Sequence, residues 1–152
     1  MNDQEKKWII ANGEYEYAST PLLPLESRAV RYGDGCFETF RSYKEAFLEL
    51  QDHIDRLKGA LAYLEIPSTL ALDRESIKDQ VHSLLRKNNL ADEEAVVRLQ
   101  VWRDGSRGFA IPSDANTGYS ISVSTLPDIA RSCFAMHRCN PPNSQAGTGS
   151  AI

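Results

Sequence analysis

Arg56 is the residue whose type and position in this sequence most directly suggest chemistry. It follows His53 by three residues, so the two side chains would share one face of a helix. It also lies between two apolar positions, which would hold its aliphatic stem beside the core. A guanidinium held in this way suits a phosphate, because its planar fork donates two parallel hydrogen bonds. The alternatives at this point are an arginine that lies along the surface and a partner for Asp52 or Asp55.

Two further arginines stand where ligands are often recognised. Arg107 belongs to a polar loop with two glycines, residues 103–108, and recognition residues concentrate in loops. Arg98 lies inside a valine-rich stretch, residues 94–102, that predicts a strand, where a charged side chain needs a buried partner. The simpler interpretation of Arg107 is a solvated loop charge.

The elements that must position these residues begin at a glycine-punctuated turn, Gly33-Asp34-Gly35. Glycine accepts positive φ and lets another backbone or a ligand approach closely. From residue 36 to residue 41 two sets of side chains alternate, which predicts a strand with two differently used faces. The next predicted elements are a reversal over residues 43–46, a short strand over 47–50 and a helix from residue 51 or 52 to residue 66.

The other elements follow from equally local signals. Asn12-Gly13 predicts a tight hairpin turn between short strands. Asp73 is the expected N-cap of a second helix, with Ser76 as the alternative. The remaining predictions are strands over 8–11, 14–17, 94–102 and 119–126, a helix ending near residue 88, and a possible strand over 132–136. This order predicts an α+β domain of two layers, with helices on one face of a mostly antiparallel sheet.

The composition shifts after residue 126. We expect one small domain over residues 1–126, a linker over 127–131, and the beginning of a second domain over 132–152, where proline, asparagine, glycine and serine dominate. A disordered end is the alternative for that last stretch.

Composition excludes several classes of function. The chain has 152 residues, a net charge of −4 and a pI of about 5.4, which argues against a binder of nucleic acid or anionic membrane. No apolar run approaches a membrane span, and the polar start lacks a signal-peptide core. Three cysteines without framework spacing indicate reduced thiols and a cytoplasmic protein. Cys133, His137, Cys139 and His53 lack the paired spacing of a structural zinc site, and no metal is expected.

Residues 32–41, Y-G-D-G-C-F-E-T-F-R, followed by F-L-E-L-x-x-H-I-D-R-L, resemble the N-terminal signature of the class-IV (fold-type IV) pyridoxal-phosphate enzymes. This family includes branched-chain and D-amino-acid aminotransferases and aminodeoxychorismate lyase. The resemblance extends more weakly over residues 8–152 and covers the first half of a typical member. It implies the D-amino-acid-aminotransferase-like fold, pyridoxal 5'-phosphate as cofactor, and a cytoplasmic homodimer with its active site near the interface. It also makes residues 132–152 the start of the larger, cofactor-binding domain.

The resemblance also assigns roles to individual residues. Arg56 matches the arginine of H-x-x-R-L that binds the cofactor phosphate, and Arg107, helped by Arg98, would hold the substrate carboxylate. Val30 stands where some D-amino-acid aminotransferases carry a tyrosine. The residues that would line the substrate pocket are Tyr32, Phe37 and Arg41; their simpler interpretations are a half-buried strand residue, a core residue and a solvated strand end, respectively.

The catalytic group that the resemblance requires is a lysine amine. The six lysines of the chain are terminal, in a hairpin turn or on helix flanks, and we expect the catalytic lysine shortly after Ile152. The implied activity is amino-group transfer between amino acids and 2-oxo acids through a Schiff-base intermediate. Aminodeoxychorismate lyase, which eliminates pyruvate, is the alternative within the family, and a cofactor-free association domain is the alternative outside it.

Overall fold

A computed structural model describes residues 6–44, 46–67, 72–105, 108, 110–111 and 115–126. Within these ranges the chain forms six strands and three helices. The elements, in chain order, are β1 (Trp8–Ala11), β2 (Glu14–Tyr17), α1 (Arg28–Tyr32), β3 (Gly35–Tyr43), β4 (Ala46–Phe47), α2 (Leu50–Tyr63), α3 (Arg74–Lys87), β5 (Glu94–Arg103) and β6 (Thr117–Thr125).

The strands form one sheet in the order β2-β1-β6-β5-β3-β4, and every pairing is antiparallel. The long central strands fix the register, with Glu38 opposite Leu99 and Leu99 opposite Ile121. Side chains alternate between the two faces of a strand. These three residues therefore face one side of the sheet, and their chain neighbours face the other.

The helices α2 and α3 cover one face of the sheet, as expected for a two-layer α+β domain. The apolar stripe of α2 buries Leu50, Ile54, Leu57 and Leu61, because these positions recur at three- and four-residue spacing. The corresponding stripe of α3 joins the same core with Phe40 and the inward valines and leucines of β5 and β6. The predicted fold class is confirmed.

Several local predictions are confirmed as well. Asn12 and Gly13 have φ values of 50° and 89°, as a two-residue hairpin between β1 and β2 requires. Asp73 caps α3 by accepting a hydrogen bond from the Ser76 backbone nitrogen at 2.8 Å, so Ser76 is not the cap.

Other predictions are corrected. Residues 28–32 form the short helix α1, which begins at the Ser27 cap and ends at Gly33 in the left-handed conformation. The strand expected over 47–50 is only the two residues of β4, because α2 already begins at Leu50. Arg103 is not a loop residue: it ends β5 and is buried, since acceptors from distant segments surround its guanidinium.

The expected linker, the second domain and the possible strand over 132–136 lie outside the described residues. In the part of the chain that the structure describes, no helix has the length and apolar character needed to cross a membrane.

Candidate active site

The clearest polar cluster joins β3 to α2. Glu38 lies on the helix-covered face of the sheet and is buried. The guanidinium of Arg56 binds it in a bidentate fork, with Nε donating to Oε1 and Nη2 donating to Oε2, both at 2.6 Å. His53 Nδ1 lies 2.8 Å from the same Oε2. The H-x-x-R spacing therefore brings two donors from one helix turn to a single buried carboxylate.

The charges of this cluster support one another. Hydrogen bonds from Arg56, and secondarily from His53, hold the pKa of Glu38 below its ordinary value despite burial. The hydrogen bonds that Arg56 donates to Glu38 in turn raise the pKa of Arg56. A carboxylate can only accept, so His53 Nδ1 carries the proton that it shares with Glu38. The 3.1 Å approach of Arg56 Nη2 to that nitrogen is then a contact and not a hydrogen bond, because the nitrogen has no lone pair to offer.

Arg56 is also open to solvent. Its side chain is 68% exposed although its carboxylate partner is 6% exposed. Nε and Nη2 are engaged by Glu38, and among the described residues Nη1 donates no hydrogen bond. The guanidinium is therefore held on one edge and available on the other, which is the arrangement expected of an anion anchor.

A second set of residues lies on the sheet face that the helices leave open. The Arg98 guanidinium stacks over the Phe37 ring, 3.7 Å from its centroid, and Phe37 is 54% exposed. Arg98 pairs with Thr39, and Arg41 follows two positions further along β3 on the same face. The interpretation of Phe37 as a core residue is therefore wrong. The prediction that Arg98 has a buried partner is also wrong, because it stacks on an exposed aromatic ring.

A third cluster lies at one end of the sheet. Arg28 Nε and Arg103 Nε both donate to Asp34 Oδ2, at 2.7 and 3.1 Å. Arg28 Nη1 also donates to the carbonyls of Gly108 and Ala110, at 2.6 and 3.2 Å. This buried charge network therefore attaches the Gly-Asp-Gly turn to the loop that follows β5.

The candidate residues of α1 lie beside this network. Tyr32 is in α1 and not in a strand, with the Arg28 guanidinium 5.3 Å from its ring centroid. Val30 and Tyr32 are both exposed. Arg107 lies outside the described residues, and it directly precedes Gly108 in the sequence. The zinc alternative also draws on residues outside the described ranges, apart from His53.

Sequence reasoning missed the residues that hold these groups in place. The sequence did contain a signal for Glu38. It lies two residues before Phe40 on β3 and so faces the same side of the sheet, and a carboxylate on a buried face needs a cation as partner. The partners of Asp34 could not be predicted from the sequence in this way. Arg103 is 69 positions away in the chain and meets Asp34 only when β5 pairs with β3.

None of the six lysines belongs to these clusters. Burial lowers the pKa of Lys7, which directly precedes β1 and lies apart from these clusters. Burial, and secondarily the Glu38 carboxylate, raise the pKa of the Cys36 thiol, so Cys36 is protonated near neutral pH. The described residues therefore present anion anchors rather than an evident nucleophile.

Comparison with known proteins identifies the family. The family model for amino-transferase class IV matches residues 35–147, which is most of the chain. This protein belongs to the class IV aminotransferase family, and the resemblance carried by residues 32–57 is confirmed.

The relatives include more than one kind of enzyme. The aminodeoxychorismate lyase of Bacillus subtilis (strain 168) is 36% identical over 93 residues, which are 61% of this chain and 31% of that protein. The D-alanine aminotransferase of Listeria monocytogenes serotype 1/2a (strain 10403S) is 27% identical over 108 residues, which are 70% of this chain and 36% of that protein. The chain thus spans about a third of the length of these curated relatives.

A solved structure shares the fold. The branched-chain amino acid aminotransferase from Thermobaculum terrenum, in its PLP-form, superposes with a TM-score of 0.67 over 82% of this chain and 42% of that one. At 17% sequence identity, this likeness establishes the fold and not the substrate.

Proposed function

We propose that this chain contributes the small domain of a class IV pyridoxal-phosphate enzyme that transfers the amino group of an amino acid to a 2-oxo acid. The observation that carries the proposal is the guanidinium of Arg56, held by a buried glutamate and open on its other edge. Membership in the class IV aminotransferase family supports the same reading.

Pyridoxal phosphate fits the chemistry of this site. The available edge of Arg56 offers charged donors to a phosphate, and Glu38 keeps that edge from folding back onto the protein. When bound, the cofactor supplies an electron-accepting ring that stabilises negative charge at the substrate Cα. The residue that would hold its phosphate from this chain is Arg56.

The substrate would meet the open sheet face and the adjoining end of the domain. Arg107, with Arg98 as its helper, would bind the substrate carboxylate. Stacking on Phe37 limits the rotation of Arg98, which reduces the entropy lost when it binds an anion. The neighbouring side chains that would line the pocket are Tyr32, Val30 and Arg41.

The lyase reaction is the second candidate, and a specific observation favours it. The aminodeoxychorismate lyase named above is 36% identical to this chain, whereas the D-alanine aminotransferase is 27% identical. The shared segment covers less than a third of that lyase, so it supports the first steps common to both reactions. We keep the aminotransferase as the main proposal.

The assembly is part of the same proposal. Phe37, Tyr32 and Val30 are exposed apolar residues beside the proposed pocket, and a second subunit or domain would cover them. We propose a homodimer in the cytoplasm, with residues 1–126 as its small domain, residues 127–131 as the linker and the catalytic lysine after Ile152.

The test uses the complete protein from its natural gene, supplied with pyridoxal phosphate. Amino-group transfer from a panel of L- and D-amino acids to 2-oxoglutarate would support the main proposal. Pyruvate release from aminodeoxychorismate, without transfer, would establish the lyase. A protein that stays colourless with the cofactor and performs neither reaction would instead support the cofactor-free association domain.

A further inference from the structure

We propose that Glu38 is a positioning residue, which holds Arg56 in the orientation that receives the cofactor phosphate. This inference rests on the proposed function of Arg56 and extends it to a residue that makes no contact with the cofactor. The observation behind it is that a buried carboxylate engages one edge of an otherwise exposed guanidinium.

The geometry makes Glu38 a rigid support. It lies near the middle of β3, with Leu99 directly opposite on β5, so pairing with a long neighbouring strand holds its backbone in place. Both of its carboxylate oxygens accept from Arg56 at 2.6 Å. A bidentate fork restricts the direction of the guanidinium plane as well as its position. The edge carrying Nη1 must then point away from Glu38.

His53 completes the support from the same helix. Its Nδ1 proton is donated to Oε2 at 2.8 Å, which leaves the carboxylate less free to rotate. The ring also lies against Phe40, with the two centroids 5.5 Å apart. The histidine and the arginine of the H-x-x-R signature thus have distinct tasks: one fixes the carboxylate, and the other is fixed by it.

Two effects oppose each other when the Glu38 charge is removed. The Glu38 carboxylate repels a bound phosphate, so loss of its charge would by itself favour phosphate binding. This repulsion is weak, because the guanidinium lies between the two anions and water and salt screen the exposed site. Loss of the fork frees a long side chain that must then be ordered each time a phosphate binds. Ordering one such side chain reduces affinity by about 2- to 12-fold. We therefore expect weaker binding.

The test is the affinity of the complete protein for pyridoxal phosphate, measured by equilibrium dialysis, with inorganic phosphate as competitor. Glu38→Gln should weaken binding about 2- to 12-fold. Glu38→Asp keeps the charge but withdraws the carboxylate, and it should also weaken binding. Glu75→Gln, which removes an exposed glutamate next to Lys78, changes the net charge equally and should leave affinity unchanged.

A double-mutant cycle separates positioning from a general structural effect. If Glu38 acts through Arg56, then Glu38→Gln should have no further effect in the Arg56→Ala background. Unchanged or tighter binding in both Glu38 variants, or equal effects in the two backgrounds, would overturn the inference. Arg56→Ala without any loss of affinity would instead overturn the proposed role of Arg56, so the two failures are distinguishable. Melting temperatures show which variants are folded. If Glu38→Gln does not fold, Glu38→Asp is used to test the inference.

Discussion

Asp34→Asn probes the buried charge network at the end of the sheet. In the native protein one carboxylate oxygen accepts hydrogen bonds from two buried guanidiniums, those of Arg28 and Arg103. Asparagine has almost the same shape but carries no charge. The substitution therefore leaves two buried cations without their only carboxylate partner among the described residues, and we expect a marked loss of stability.

The magnitude follows from what each guanidinium retains. Removing one partner of a buried ion pair typically costs about 3–5 kcal/mol. Arg28 keeps two backbone carbonyls, and Arg103 keeps the carbonyls of Leu64 and Glu65 at the end of α2. The asparagine oxygen can also still accept hydrogen bonds, so the loss comes mainly from the missing negative charge. We therefore expect a loss of about 2–4 kcal/mol in the free energy of unfolding, which lowers the melting temperature by about 5–15 °C.

The assay is urea unfolding of the purified protein, with Asp92→Asn as control because Asp92 is exposed and loses the same charge. Adding Arg28→Met to Asp34→Asn should cost less than the sum of the two single changes, since it removes one of the unpartnered cations. An Asp34→Asn protein as stable as the control, or strictly additive changes, would show that Asp34 does not stabilise the two buried guanidiniums.

Four other predictions concern residues outside this network. Gly118→Ala should destabilise the protein by about 1–3 kcal/mol, because the added Cβ would clash with the Trp102 ring. Gly59→Ala, in open space on α2, should stabilise it by about 0.5–1 kcal/mol. Thermal melts measure both changes, and melting temperatures equal to that of the native protein would contradict these predictions. The lowered pKa of Glu38 means that its stabilisation is full above the unfolded value of about 4.3 and is lost as pH falls through the folded value, so Glu38→Gln should flatten acid unfolding below about pH 5; parallel curves would disagree. Arg107→Ala should raise KM for an amino acid more than for an amine without a carboxylate, and equal effects would indicate a structural role.

Most of the fold was predictable because its signals are local. Asn12-Gly13 fixes a hairpin, and Asp73 caps a helix, with little help from distant residues. The stripe of α2 predicted the buried face of that helix for the same reason, whereas the alternation along β3 predicted two faces without showing which of them is buried. Helix α1 was missed because five residues give no apolar period, although Ser27 and Gly33 are caps that could have been recognised.

The candidate site was only partly predictable. Arg56 was chosen because it matches the H-x-x-R-L signature. Its alternative partners were sought among neighbours on the same helix, whereas Glu38 reaches it from β3. Arg103 was assigned to a loop because it begins the polar run over residues 103–108, which contains two glycines. Its burial depends on Asp34 and on the end of α2, contacts that exist only after the sheet has formed.

The most direct test of the account is the affinity of the complete protein for pyridoxal phosphate, followed by visible absorbance, in the native protein and in Arg56→Ala. Arg74→Ala is the matched control, because Arg74 is an exposed helix arginine at the start of α3. We expect that Arg56→Ala loses about 1.5–3 kcal/mol of binding free energy, more than tenfold in affinity, while the control binds like the native protein. Equal affinity in the two variants would contradict the claim that this domain anchors the cofactor through Arg56.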